Sequence, residues 1–428
     1  MLKCLSLTLL ALSLDAKDIY TVDQLLLKSL QNSPDLQVSK LQYSAAQSRY
    51  DTVFADYLPS LNLNVSAGRV AQDSTFNIDG VEDNVLIGKL SLKQVVYDFG
   101  KIGASSDTQK FRAQSYKMQN FQNLSNKQER VKSAYYNLLK SIALIDVQKE
   151  NVKLNEAQLY RSQRYFEAGI RTKIDISDAK VKLIQAKLDL KKVEYDLKLT
   201  YSNLDKVVGF SAIENDYEVY SSKLELDKLY ESLTPYPLTL HDAILFAYEN
   251  RFDLKKEQAL IHASKSDISS VSAEYYPELY VSANYTYQEA QSAELQVYLP
   301  KTQWNTMLNL DWNLYQGGAT NSRKQEKSIN ASISSSQLLD TKLVIKSSVT
   351  DAYINVHRSK DTIELAQSLV LVSDEKFDQA SKRYEHGLSD YIEIQEARQD
   401  YINAKATLVV DYYDYYIAIA KLDNAIGK

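Results

Sequence analysis

Arg164-Tyr165-Phe166-Glu167-Ala168-Gly169-Ile170 has a counterpart in Lys382-Arg383-Tyr384-Glu385-His386-Gly387-Leu388, 218 positions further on. The same offset holds outward from both heptapeptides without a gap. Toward the N-terminus Gly100 meets Gly318, Tyr97 meets Tyr315, Pro59 meets Pro277, Asp35-Leu36 meets Asp253-Leu254, and Thr21 meets Thr239. Toward the C-terminus Ala186-Lys187 meets Ala404-Lys405, Leu204 meets Leu422, and Gly209 meets Gly427. Residues 17–210 and 238–428 are therefore read as two copies of one structural unit, and each feature of one can be checked in the other. The polar, Tyr-rich segment 211–237 joins them, and no pattern specifies its form.

Each heptapeptide ends a helix. Glycine accepts the left-handed conformation of a helix C-cap, so Gly169 and Gly387 allow the chain to reverse. No proline interrupts 101–168 or 319–386, and at 1.5 Å per residue a helix of that length extends about 100 Å. Return helices are expected over 174–208 and 392–426. In the first, Ile176, Ala179, Leu183, Ala186, Leu190, Val193 and Leu197 keep the 3-4 alternation of a left-handed coiled-coil seam. An opening helix over 23–56, with its twin over 241–274, completes the helical set. Opening and return helices together match the long helix in length, which predicts that they stack end to end beside it. Polar residues cover most of each circumference, which suits a hollow wall wetted on both sides better than a solid bundle.

Between opening and long helices the period changes to two. Leu61, Leu63, Val65 and Ala67 alternate with polar residues, and the chain returns through Leu86, Gly88, Leu90, Leu92 and Val96. The twin runs through Leu279, Val281, Ala283 and Tyr285, then back through Trp304, Thr306, Leu308, Leu310 and Trp312. These are β-hairpins (58–98 and 277–316) with one apolar face each and loops at 68–84 and about 288–302. Their spans suit a tilted bilayer crossing, with Tyr280, Trp304, Trp312 and Tyr315 as interfacial anchors to outer-membrane lipid. Four strands leave open edges in hydrocarbon, and single-chain barrels begin at eight strands. At least two subunits must share the barrel.

Composition agrees. The 428 residues include only 11 glycines and 6 prolines, so long helices dominate, and 32 tyrosines suit surfaces facing both water and lipid headgroups. Residues 1–16 resemble a secretory signal peptide whose removal takes the sole cysteine, Cys4, with it. The net charge of −5 argues against nucleic acid as a partner. His241, His262, His357 and His386 lie on separate elements without ligand spacing, so no metal centre, cofactor site or catalytic constellation is expected.

The layout and the turn motifs, including Asp175 with Ala179 and Glu393 with Ala397, resemble the TolC-like outer membrane efflux proteins over essentially the whole mature chain. That resemblance implies a mainly α fold with membrane β: a tandem-repeat protomer of long coiled-coil helices whose four strands contribute to a shared trimeric β-barrel above an α-helical tunnel. It implies a passive outer-membrane exit duct with a long periplasmic extension. A homotrimer would serve an inner-membrane pump through a periplasmic adaptor (membrane fusion) protein, in efflux or type I secretion. Gly169, Ile170, Gly387 and Leu388 would meet the adaptor. Glu393 and Glu396, with their twins Asp175 and Asp178, would form the periplasmic gate. Tyr384 and Asp175 match a polar latch between the hairpins, and a second latch in the family relies on an arginine where this chain has Ser389. The competing reading is a periplasmic coiled-coil adaptor or scaffold without a barrel.

Overall fold

The computed structural model describes residues 18–72, 81–210, 217–221, 224, 226–291, 293–298 and 300–428. The first copy holds β1 (Asp18–Tyr20), α1 (Val22–Asn32), α2 (Pro34–Phe54), β2 (Ser60–Gln72), β3 (Val81–Tyr97), α3 (Lys101–Glu167) and α4 (Lys173–Val208). Strand β4 (Tyr217–Val219) follows. The second copy holds α5 (Leu240–Asn250), α6 (Phe252–Ala273), β5 (Glu278–Ala290), α7 (Ala293–Tyr298), β6 (Thr302–Asp311), α8 (Ala319–Glu385) and α9 (Tyr391–Ile426). The expected signal peptide lies outside the described residues.

The opening helix expected over 23–56 is two helices, broken at Ser33, and its twin expected over 241–274 is broken at Arg251. Pro34 explains the first break, because a proline disfavours helical backbone at the residue before it. The second break has no proline. There the end of α9 presses on the chain: Gly427, at φ +84, leaves only 3.1 Å between an added Cβ and the Arg251 nitrogen. Arg251 Nη1 also donates to the Ala425 carbonyl at 2.9 Å. In the first copy Gly209, at φ +87, meets the Asn32 carbonyl in the same way, with 2.9 Å for an added Cβ. The same close approach thus accompanies both breaks, and only the first also has a proline.

The chain divides into two compact units. One comprises Met1–Gln37, Asn123–Arg251 and Val344–Lys428. Its main core gathers Leu25 of α1, Val131, Leu138 and Val147 of α3, Leu204 and Val208 of α4, and Ile402, Val409 and Tyr413 of α9. The joining segment contributes β4, which pairs in parallel with β1 (Ile19 opposite Glu218), and Tyr217 donates to Asp205 at 2.7 Å.

The other unit comprises Val38–Gln122 and Phe252–Leu343. It carries one antiparallel sheet in the order β2-β3-β5-β6, so β2 and β6 are edges. Directly paired residues share a face: Leu63 opposes Leu90, Leu90 opposes Tyr285, Leu92 opposes Ala283, and Val281 opposes Leu308. That apolar face lies open, with Leu63 71% and Trp304 76% exposed. The strands are longer than expected. The β2–β3 ladder continues to Gln72 opposite Val81, where Arg69 and Glu82 pair at 2.9 Å, and so shortens the loop expected over 68–84. Helix α7 stands within the expected 288–302 loop and buries Leu295 against Val85 and Ala290.

Tyr280 is a correction. Its neighbours in the ladder put it with Ser282 and Asn284 on the polar face, where Lys93 Nζ lies 4.2 Å from its ring centre. It is therefore not placed as a lipid-facing anchor. Trp304 lies on the apolar face, Tyr315 is 84% exposed, and Trp312 is half-exposed with its Nε1 donating to the Tyr275 carbonyl at 3.1 Å.

Candidate functional site

The two helix reversals in the first unit form the site. Gly169 (φ +73) and Gly387 (φ +74) take the left-handed conformation that their positions required, and nothing crowds an added Cβ at either. In each turn the next amide reaches back: Ile170 N donates to the Tyr165 carbonyl at 2.9 Å and Leu388 N to the Arg383 carbonyl at 2.8 Å. Ile170 and Leu388 are left exposed at the tips. Thr172 and Asp390 then cap α4 and α9, which places Asp175 and Glu393 in the first turns of the return helices.

The expected acidic residues do not converge within one chain. Asp175 Oδ2 accepts from Thr172 N at 3.1 Å, completing a capping box, while Asp178 is exposed on the same helix. Glu393 pairs with Arg383 of its own hairpin at 3.0 Å. Glu396 is exposed. Tyr384 is 1% exposed, its hydroxyl stands beside that of Ser162, and burial holds its phenol above the ordinary value. It shares no hydrogen bond with Asp175, whose carboxylate is engaged by Thr172. The expected Tyr384–Asp175 latch is therefore replaced by a different contact.

That contact is Arg171. Its guanidinium lies 4.8 Å from the Tyr384 ring centre, and Nη2 donates to the Ser389 carbonyl at 2.7 Å. Arg171 and Ser389 are twin positions at the 218 offset. The arginine missing from the second turn is thus supplied by the first turn, reaching across. Aligning the copies position by position singles out Arg171 as the twin of Ser389, though not that it crosses between the turns.

Around this staple the hairpins touch through little apolar surface. Ala179 of α4 packs with Tyr384, Tyr391 and Ile394 in a small cluster. Arg161 reaches Glu385 at 2.9 Å and Lys405 reaches Glu150 at 2.5 Å, linking α3 to α8 and α9. The α3 stripe facing them turns polar, through Asn151, Asn155, Gln158 and Ser162, all buried.

An open-edged amphipathic sheet, in a chain where no helix of the described residues is long and apolar enough to cross a membrane, points with the long helical hairpins to a channel-forming membrane protein. The sequence profile of the family described as outer membrane efflux protein matches residues 25–210 and 245–428, so the chain belongs to that family. The chain is similar to the toluene efflux pump outer membrane protein TtgC of Pseudomonas putida, with 20% identity over 95% of this chain and 82% of that protein. It is similar to the outer membrane protein TolC of Escherichia coli, with 21% identity over 92% and 80% respectively. Among solved structures, the Campylobacter jejuni CmeC outer membrane channel matches at 15% identity, TM-score 0.82, over 95% of this chain and 85% of that one. Vibrio cholerae VceC matches at 16% identity, TM-score 0.81, over 95% and 96%. The protein is an outer-membrane channel component and not an enzyme. The reading as a scaffold without a barrel falls with this membership.

Proposed function

We propose that the chain is the passive exit duct of a tripartite efflux pump or type I secretion system, working as a homotrimer gated at its periplasmic tip. The observation that carries this reading is the sheet β2-β3-β5-β6, which exposes an apolar face yet leaves β2 and β6 unpaired. In hydrocarbon each unpaired backbone group costs several kcal/mol, about 4–8 on an alkane reference scale. Pairing β6 of one copy with β2 of the next removes that cost, and three copies make a twelve-stranded barrel. Ile174, Val181, Leu188 and Tyr195 of α4 support the same assembly, forming an exposed stripe at heptad spacing.

The exposed tips at Gly169-Ile170 and Gly387-Leu388 are the surface offered to a periplasmic adaptor protein, and docking there parts the hairpins for an inner-membrane pump. In the assembled trimer Glu393 and Glu396, with Asp175 and Asp178, narrow the entrance. The test is fractionation and electrophoresis. The protein should be recovered with outer membranes and run as an oligomer that heating dissociates; release without detergent as a monomer would end this reading.

A further inference from the structure

Arg398 of α9 is 2% exposed, among the largest fully buried side chains of the chain, and it lies in the seam between the α3–α4 and α8–α9 hairpins. Among the described residues no carboxylate pairs with it. Nη1 reaches the Leu154 carbonyl of α3 at 3.4 Å, Nη2 donates to Gln395 Oε1 of its own helix, the neutral Tyr391 hydroxyl stands beside the guanidinium, and Nε has no partner. Burial pushes the guanidinium below its ordinary value, and the like charge of Arg161 acts in the same direction.

The orphan nitrogen is not alone. Gln158 Nε2 is also buried in the first unit without a partner, and the Ser162 and Tyr384 hydroxyls are buried beside each other. Gln158 and Ser162 follow Leu154 at one-turn intervals along α3, so a run of buried polar groups leads from Arg398 toward the Arg171 staple. The twin position of Arg398 is Lys180, which is exposed. Both copies carry a cation there, and only the second seals it away from water.

A buried charge without a counter-ion loses hydration that neutral acceptors only partly replace, so the closed seam is raised in free energy relative to a separated, wetted one. We propose that Arg398 is the positioning residue that sets how readily the two hairpins part, its guanidinium held short of partners when they pack and hydrated when they separate. This inference rests on the tip-gating reading above. Methionine fills the volume of the stem and removes the charge, whereas lysine keeps the charge.

The test uses the full-length oligomer in planar bilayers, with hydrogen exchange on the same samples. Arg398→Met should open at least tenfold less often than wild type and slow amide exchange in 151–162 and 391–402, while Arg398→Lys opens like wild type. More frequent opening of Arg398→Met, unchanged exchange, or failure of that variant to assemble would show that Arg398 holds the seam together and would overturn the proposal. Arg171→Ala is the internal control. If it opens the channel while Arg398→Met behaves as wild type, the inference fails alone; if neither changes opening although exchange slows in Arg398→Met, the seam energetics stand and tip gating is what fails.

Discussion

Arg171→Ala removes the side chain that reaches from the first turn to the main chain of the second. The lost contacts are the guanidinium over the Tyr384 ring at 4.8 Å and the 2.7 Å hydrogen bond to the Ser389 carbonyl. A cation–π contact at a partly exposed site is worth about 0.5–1 kcal/mol. A hydrogen bond from a charged donor, discounted for the half-exposed arginine, adds about 1 kcal/mol. The closed tip should therefore lose about 2 kcal/mol per protomer, a factor of about 30 in its equilibrium with the open form. If three protomers open in concert the loss reaches about 6 kcal/mol, and the channel should pass from rarely to mostly open. Single-channel conductance reads this directly, and susceptibility of cells to large antibiotics reads it in vivo. Arg171→Lys keeps the charge over the ring but not the planar donor geometry, so it should fall between the two. Ser389→Ala should do nothing, because the acceptor is the main-chain oxygen. Conductance of Arg171→Ala within a factor of about two of wild type would refute the arithmetic, since 2 kcal/mol cannot be lost without moving the equilibrium.

Gly209→Ala and Gly169→Ala separate strain from crowding: both place alanine at positive φ, costing about 1–2 kcal/mol, but only Gly209 also meets backbone, the Asn32 carbonyl 2.9 Å from the new Cβ. Thermal denaturation should show Gly209→Ala the more destabilised by about 1–3 kcal/mol, and equal melting would contradict the contact. Replacing Glu393 and Glu396 together by Gln should relieve block of the open channel by divalent cations, since the trimer loses six carboxylates from its entrance. If block is unaltered, those residues do not line the constriction. Ile170→Asp with Leu388→Asp should abolish pump-dependent resistance while leaving the heat-modifiable oligomer intact; resistance at the wild-type level would show that the adaptor docks elsewhere.

Local pattern was sufficient wherever one residue type permits one geometry. Gly169 and Gly387 had to sit where the chain reverses, because positive φ costs a side-chain-bearing residue about 1–2 kcal/mol. Alternation of Leu61, Leu63 and Val65 with polar neighbours had to make a one-faced strand, because side chains of a strand point to opposite sides in turn. Even the face of Tyr280 was legible, since it shares parity with Ser282 and Asn284, and its aromatic character misled. Asp175 was legible too, as the fourth residue of Thr172-Lys173-Ile174-Asp175, a spacing that caps a helix.

Other features depended on which surfaces meet. The break at Arg251 has no proline to mark it, and the end of α9 packs against it, with Gly427 close to Arg251 and the Arg251 guanidinium donating to the Ala425 carbonyl. Lys180 and Arg398 are equivalent in position and charge, yet one is exposed and the other sealed, because the partners packed over each return helix differ. By itself the sequence determined the repeat, the helices, the amphipathic strands and the turns, all of which are local consequences of backbone sterics and periodicity. Tertiary structure alone decided that Arg171 crosses to Ser389 and that Arg398 is buried unpaired, because burial and long-range contact belong to pairs of surfaces that no single stretch of chain contains.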